Sequence, residues 1–522
     1  MSIETILFLL PEALLIVCAT AIYVGGAFAP RHAGWNWLAV ASVIGAAVAL
    51  ATQSDAAAAA VGQAQGSPVV SDAMSLYVRW LTLVVGLLFV LMSLRQGPDV
   101  PRTEYVGTLL MGLAGVMLVG SARELVLLFL GLELLSIPTY VLLYLGRRDM
   151  ASQESAVKYF FLSILSSALL LYGFSFLYGV AGSTDLAVAR AIFSTPADQL
   201  GHARLLAQIS LALIFAGLGF RITAVPFHFY APDVYQGTTN ANAGLLAVFP
   251  KIVGFVALVR LLLVAMPGME DFGWRVALVL AILTMTLGNL LALWQDNIRR
   301  LMAYSSVAHA GYMLIGLAAG FAAARAQQSA TSFDGVGAML FYLGLYVVAT
   351  AGTFAALAYL GTPQRQIDGV DELAGLGSTH PWAALAIAAF MFSLAGIPPL
   401  AGFWGKLTLF ASALGIDGGA AAPTPLRWWF VALTVIGALN AAVAAAYYLR
   451  IIAVMYFRSP MAPVKAQGGW GAGVAMLASA VLVLLLGCYP VPLVRSATSA
   501  SQSSRAFVGT PPAKIIAMQS KK

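Results

Sequence analysis

GFRITAVPFHFYAPDVYQG, residues 219–237, closes the apolar run ALIFAGLGF with an arginine, two prolines, a histidine and an aspartate. FSLAGIPPLAGFWGK, residues 392–406, does the same later in the chain, with Lys406 after a proline pair. Proline removes a backbone donor and frees a carbonyl one turn back. At membrane depth such opened backbone is tolerated only where it is buried in protein or lines a wet cavity. Each stretch therefore predicts a broken membrane helix.

The breaks fall in the seventh and twelfth of about fourteen apolar segments. The segments lie near 5–27, 35–53, 75–94, 104–121, 123–145, 155–180, 205–230, 241–266, 273–294, 299–322, 336–360, 381–412, 427–456 and 471–491. Each is about long enough to cross a hydrocarbon core as a helix. Five is an odd number of crossings, so a second unit equivalent to the first enters the membrane from the opposite side. The expected fold is an all-α polytopic membrane protein of about 14 transmembrane helices. It holds two inverted five-helix repeats, 104–266 and 273–456, with helices 7 and 12 broken. Residues 1–492 form one transmembrane domain, and 493–522 are expected to be a polar, mobile tail.

Composition agrees: 61% of the 522 residues are hydrophobic and 9% charged, too few charges for the surface of a soluble protein. The net charge of +7 does not indicate nucleic-acid binding, because the positive residues are scattered between apolar runs. Loops after odd-numbered segments are richer in positive residues, with Arg31, Arg95, Arg102, Arg147, Arg148, Arg299, Arg300, Arg365, Arg450, Arg458 and Lys465. Those loops are expected to face the cytoplasm, which places both termini outside. Glu4 stands where a signal peptide carries positive charge, so the first segment is expected to remain as a helix. Cys18 and Cys488 lie in separate apolar runs and supply no ligand set for iron–sulfur or zinc. No phosphate-binding glycine loop is present.

The remaining signal is a string of ionisable residues inside the apolar segments. Glu133 sits in the middle of segment 5 and Lys251 in the middle of segment 8, and Lys406 follows the second break. A charge at the bilayer centre costs about 2.5–3.5 kcal/mol on insertion scales, so these positions point to ion or proton movement rather than packing. Arg221 is suited to pair with Glu133, either as a structural ion pair or as a fixed positive charge, since guanidinium does not release its proton. His228 in the first break and His309 on segment 10 are either packing residues or proton relays. Lys158 starts segment 6, where reaching the interface competes with a role in transport. Glu12 and Arg79 lie near segment starts and read as interface anchors.

Five stretches carry a resemblance: LFLGLELLSIPTYVL (128–142), VPFHFYAPDVYQGTT (225–239), ALWQDNIRRLMAYSSVAHAGYMLIGL (292–317), IDGVDELAGLG (367–377) and FSLAGIPPLAGFWGK (392–406). In this order they resemble the subunit N family among the antiporter-like subunits of the proton-pumping NADH:quinone oxidoreductase, respiratory complex I. The resemblance implies two inverted five-helix units with broken helices 7 and 12. It places Glu133, Lys251 and Lys406 at the family's helix 5 glutamate, helix 8 lysine and helix 12 lysine, with Lys158 and His228 also at family positions. Arg221 departs, because the family usually carries lysine there. The resemblance further implies a subunit of a translocase in the bacterial inner membrane. It would bind no cofactor itself, with NADH, FMN, iron–sulfur clusters and quinone held by partner subunits. Its partners would be sister antiporter-like subunits, small membrane subunits and the lipid bilayer. The rival readings are a subunit of a multi-subunit cation/proton antiporter or membrane-bound hydrogenase, and a stand-alone secondary transporter.

Overall fold

The computed structural model describes residues 3–505 apart from 31, 54–66, 96–99, 148, 195–200, 326–333, 362–365, 418–423, 461–463 and 465. Thirteen helices among the described residues are long and apolar enough to cross a membrane. We number the crossings α1 (Leu10–Phe28), α2 (Gly34–Ala51), α3 (Ala73–Met92), α4 (Arg102–Ser121), α5 (Leu125–Gly146) and α6 (Met150–Ala181). The seventh is broken into α7a (His202–Ile222) and α7b (Ala231–Gly237), and α8 (Asn240–Leu258) continues into a π-helical turn, Val259–Ala265. Then come α9 (Glu270–Leu293), α10 (Ile298–Arg325), α11 (Gly335–Leu360), the two halves α12a (Pro381–Ala395) and α12b (Ala401–Leu414), α13 (Pro425–Phe457) and α14 (Trp470–Cys488). Counting the broken twelfth helix, the fourteen expected segments are all present. α8 and α11 are buried along their whole apolar length and pack on each other at the centre.

The two halves repeat each other in detail. α4 packs on α5 as α9 packs on α10, α5 meets α6 as α10 meets α11, and α7a meets α8 as α12a meets α13. The close approaches match residue by residue. A Cβ on Gly115 would lie 2.9 Å from the Gly131 carbonyl oxygen, and one on Gly288 would lie 3.1 Å from the Tyr304 carbonyl oxygen. Both glycines let two helix backbones touch. The paired residues differ by 173 in number (288 less 115, 304 less 131), and the same shift relates the first residues of α5 and α10. Isolated antiparallel bridges, Glu124 with Asp185 and Asn297 with Gly369, precede α5 and α10 alike.

Two expectations are corrected. The segment after 490 is not all a loose tail, because Val491–Arg505 forms a further helix, α15, packed on α3 and α11. Ala497, Ala500 and Ser501 are fully buried, and Ser501 donates to the Asp334 carboxylate. Small alanine and serine side chains let this polar helix lie close, which composition alone disguises; residues 506–522 lie outside the described residues. Glu12 and Arg79 are not interface anchors either. They form a buried pair at 2.7 Å between α1 and α3, with side chains 2% and 1% exposed, and the Phe8 ring packs over the guanidinium at 3.9 Å. Residues 67 apart in sequence neutralise each other's burial cost only once the helices have packed.

Candidate functional site

α7a ends at Ile222 with the left-handed cap Thr223, and α12a ends at Ala395 with the left-handed cap Gly396. The closing bonds are the same in both. Thr223 N–H reaches the Gly219 and Phe220 carbonyls, and Gly396 N–H reaches those of Phe392 and Ser393. Pro226 and Pro399 occupy matching places, each after a cis peptide bond. The chain resumes as α7b and α12b. Each break thus leaves the carbonyl end of a half-helix inside the bundle, where the helix dipole favours a cation.

A lysine meets each end. Lys406 Nζ donates to the Ala395 carbonyl at 2.8 Å and is 5% exposed. Lys251, fully buried on α8, donates to the Thr223 hydroxyl at 3.1 Å. Gly254, one turn beyond Lys251, makes this approach possible: a Cβ there would lie 2.4 Å from Ile222 Cγ2.

Two residues before Thr223, Arg221 turns into the first half. Its Nη2 donates to Glu133 Oε1 at 2.8 Å and to Ser167 Oγ at 3.1 Å, while Nη1 donates to Ser136 Oγ and to the Leu132 carbonyl at 3.2 Å. The guanidinium therefore does not grip the carboxylate with both arms; one arm holds Glu133 and the other holds α5 itself. Ser167 also donates to Glu133 Oε1, at 2.5 Å. Arg221 is buried, whereas the Glu133 side chain keeps 23% exposure in the single chain.

From Lys251 the polar contacts continue into the second half. Ser306 Oγ accepts from Lys251 at 2.5 Å and from the Tyr346 hydroxyl at 3.0 Å. The neighbouring Ser305 shares a hydrogen bond with the Tyr448 hydroxyl, which lies 2.9 Å from His309 Nε2. His309 Nδ1 is 2.6 Å from the Tyr342 hydroxyl. The His309 and Tyr312 rings meet edge to face, with centroids 6.0 Å apart, and Lys406 Nζ lies 4.8 Å from the Tyr312 centroid. Tyr312 in turn accepts from Asn289 at 3.3 Å, and Asn289 joins Tyr447 and Asn440.

Five of the seven candidate residues, Glu133, Arg221, Lys251, His309 and Lys406, thus lie in successive hydrogen-bonded groups, the first two joined to Lys251 through the backbone from Arg221 to Thr223. Lys158 stands apart. Its ammonium pairs with Glu154 at 2.6 Å and Asp233 at 3.1 Å, and its side chain is 41% exposed. Asp233 also binds Arg300 at 2.6 Å, joining α7b to α6 and α10. His228 is half-buried in the link between α7a and α7b. Sequence reading passed over Ser136, Ser167, Thr223, Ser306 and the tyrosines 342, 346 and 448. One signal was available: Glu133 and Ser136 have the same spacing as Ser306 and His309, shifted by 173, since 306 less 133 and 309 less 136 agree.

Two inverted bundles, each with a broken helix ending beside a buried lysine, define an antiporter-type membrane chain. Residues 122–424 match the family described as NADH:quinone oxidoreductase/Mrp antiporter, TM. NADH-quinone oxidoreductase subunit N of Rhodospirillum rubrum is 36% identical over 503 residues, covering 95% of this chain and 96% of that one. A chain of respiratory complex I from Thermus thermophilus superimposes with a TM-score of 0.73 at 31% identity, covering 94% of this chain and 99% of that one. A chain of the Mrp complex from Dietzia sp. has a TM-score of 0.77 at 22% identity, covering 98% and 100%, and shares the fold. The chain belongs to the NADH:quinone oxidoreductase/Mrp antiporter family, among its subunit N proteins.

Proposed function

We propose that this chain is a proton-translocating membrane-arm subunit of an NADH:quinone oxidoreductase. NADH-to-quinone electron transfer in partner subunits, which hold FMN and iron–sulfur clusters, would be coupled here to proton movement across a bacterial inner membrane. The observation that carries the reading is the succession of hydrogen-bonded groups of titratable and hydroxyl side chains from the partly exposed Glu133 to the buried Lys406, present in both halves of the molecule.

The chemistry follows from the residue types. Lysine ammonium and imidazole hold or release a proton, and serine and tyrosine hydroxyls donate and accept at once, so they pass one on. Arg221 keeps its charge. It acts on the line by setting the field of Glu133: while the carboxylate is held to Arg221, its charge is compensated, and when it swings away it favours a proton on Lys251. His309, between two tyrosine hydroxyls, is the relay toward Lys406. Lys158 belongs to the outer cluster with Asp233 and Arg300, and His228 to the hinge of the broken helix.

Two further features support the setting. Glu133 is partly exposed on α5, where Leu130 and Ile137 are 56% and 50% exposed. A carboxylate facing lipid is costly, so this face suits a neighbouring membrane subunit. The arginine-rich loops after odd-numbered helices favour termini on the outer face. The cation/proton antiporter reading rests on likeness of fold to the Mrp chain at 22% identity, whereas the subunit N relative shares 36%.

The test is Lys251→Ala in the intact complex. Proton uptake into membrane vesicles driven by NADH should collapse, while NADH oxidation by an artificial acceptor at the peripheral arm, which reports assembly, stays at its normal level. Normal pumping by that variant would refute the reading.

A further inference from the structure

Thr223 stands in a conformation that threonine avoids. Its φ is 60°, in the left-handed region, and a β-branched residue there is an outlier that persists only when its surroundings require it. The matching position in the second half is Gly396, with φ 87°, the residue such a cap ordinarily takes. The backbone bonds of the two caps are the same: Ala224 N–H to the Gly219 carbonyl at 2.8 Å, and Ile397 N–H to that of Phe392 at 3.0 Å. The cap itself therefore has no need of a threonine.

The side chain explains the choice. Thr223 is 1% exposed, and its hydroxyl donates to the Ile222 carbonyl at 2.6 Å while accepting from Lys251 Nζ at 3.1 Å. In the second half the lysine reaches the corresponding carbonyl, Ala395, directly. The first half thus inserts a hydroxyl between lysine and helix end. A hydroxyl that donates to a carbonyl is a better acceptor for an ammonium, because the two bonds polarise each other.

We infer that Thr223 is a positioning residue for proton translocation: its hydroxyl holds Lys251 at the carbonyl end of α7a, two residues along the chain from Arg221. The inference rests on the function proposed above.

The experiment compares Thr223→Gly, Thr223→Val and Thr223→Ser in the intact complex, with Lys251→Ala alongside. Glycine relieves the left-handed strain, so the Gly complex should assemble and melt at the same temperature as the unmodified complex or higher. Its proton uptake per NADH oxidised should nevertheless fall by about tenfold, the size of one hydrogen bond to a charged group. Valine keeps the shape without the hydroxyl and should fall likewise, whereas serine restores the hydroxyl and should pump within about twofold of the unmodified complex. If the Gly complex fails to assemble, the contrast between Val and Ser decides. Pumping by Gly and Val that matches Ser, with Lys251→Ala inactive, would overturn the role of Thr223 alone. Normal pumping by Lys251→Ala would instead overturn the function on which it rests.

Discussion

The two halves share a backbone and divide the chemistry. In α4–α8 the broken helix ends at Arg221 and Thr223, and α5 supplies Glu133 and Ser136. In α9–α13 the matching positions are Leu394 and Gly396, with Ser306 and His309 on α10. Arginine and glutamate have become leucine and serine, and no acidic side chain is buried in α9–α13 among the described residues. The first half holds a compensated charge pair. The second offers imidazole, phenols and a lysine that donates to a helix-end carbonyl beside the Tyr312 ring. Under the proposed function, one of the two equivalent half-helix ends sets a field and the other carries the proton. The inverted arrangement turns these two ends toward opposite faces of the membrane.

The largest effect that would break this comparison is expected at Arg221. Arg221→Ala leaves Glu133 without its cation and removes the bonds to Ser136, Ser167 and the Leu132 carbonyl; because the Glu133 side chain keeps 23% exposure, the cost should lie below the about 3–5 kcal/mol of a fully buried pair. Pumping and quinone reduction should both drop severely in vesicles normalised for assembled complex. Arg221→Lys keeps the charge but reaches one cluster of partners rather than two, since the native guanidinium divides its arms between Glu133 and α5. It should retain much of the activity. Equal behaviour of Ala and Lys would mean that the charge at 221 plays no part in coupling.

Gly396→Thr sharpens the comparison from the other side, by giving the second cap the residue of the first. A Cβ at 396 would stand 2.8 Å from Lys406 Cδ and 3.4 Å from Nζ, so the lysine side chain must shift where it binds the Ala395 carbonyl. Together with the left-handed strain this should cost about 1–3 kcal/mol, seen as a lower melting temperature and weaker pumping. A variant as stable and active as the native complex would show that the two caps are interchangeable.

The smallest effect is expected at the outer cluster. Asp233→Asn removes contacts that are largely exposed, worth at most about 1 kcal/mol. Native and Asn complexes should therefore differ only slightly in melting temperature at neutral pH. A large loss of pumping at neutral pH would move the Asp233–Lys158–Arg300 cluster into the proton path.

The fold was legible because a bilayer leaves few choices. Helix number, the inverted repeat and both breaks follow from the lengths of apolar runs and from where proline interrupts them. The isolated charges stood out for the same reason: each is costly in hydrocarbon, so Glu133, Lys251 and Lys406 could be singled out one by one. What joins them could not be read that way. Serine, threonine and tyrosine are cheap at any depth, and nothing in one sequence marks Ser306 or Tyr448 among many like them. The pairing of Glu12 with Arg79, the docking of Val491–Arg505 and the separation of Lys158 from Glu133 likewise depend on which helices become neighbours. By itself the sequence determined the crossings, their breaks and which ionisable residues stand where hydrocarbon makes them costly. The tertiary structure decided which of those residues touch, because hydrogen bonds and ion pairs act over a few ångströms between helices far apart along the chain.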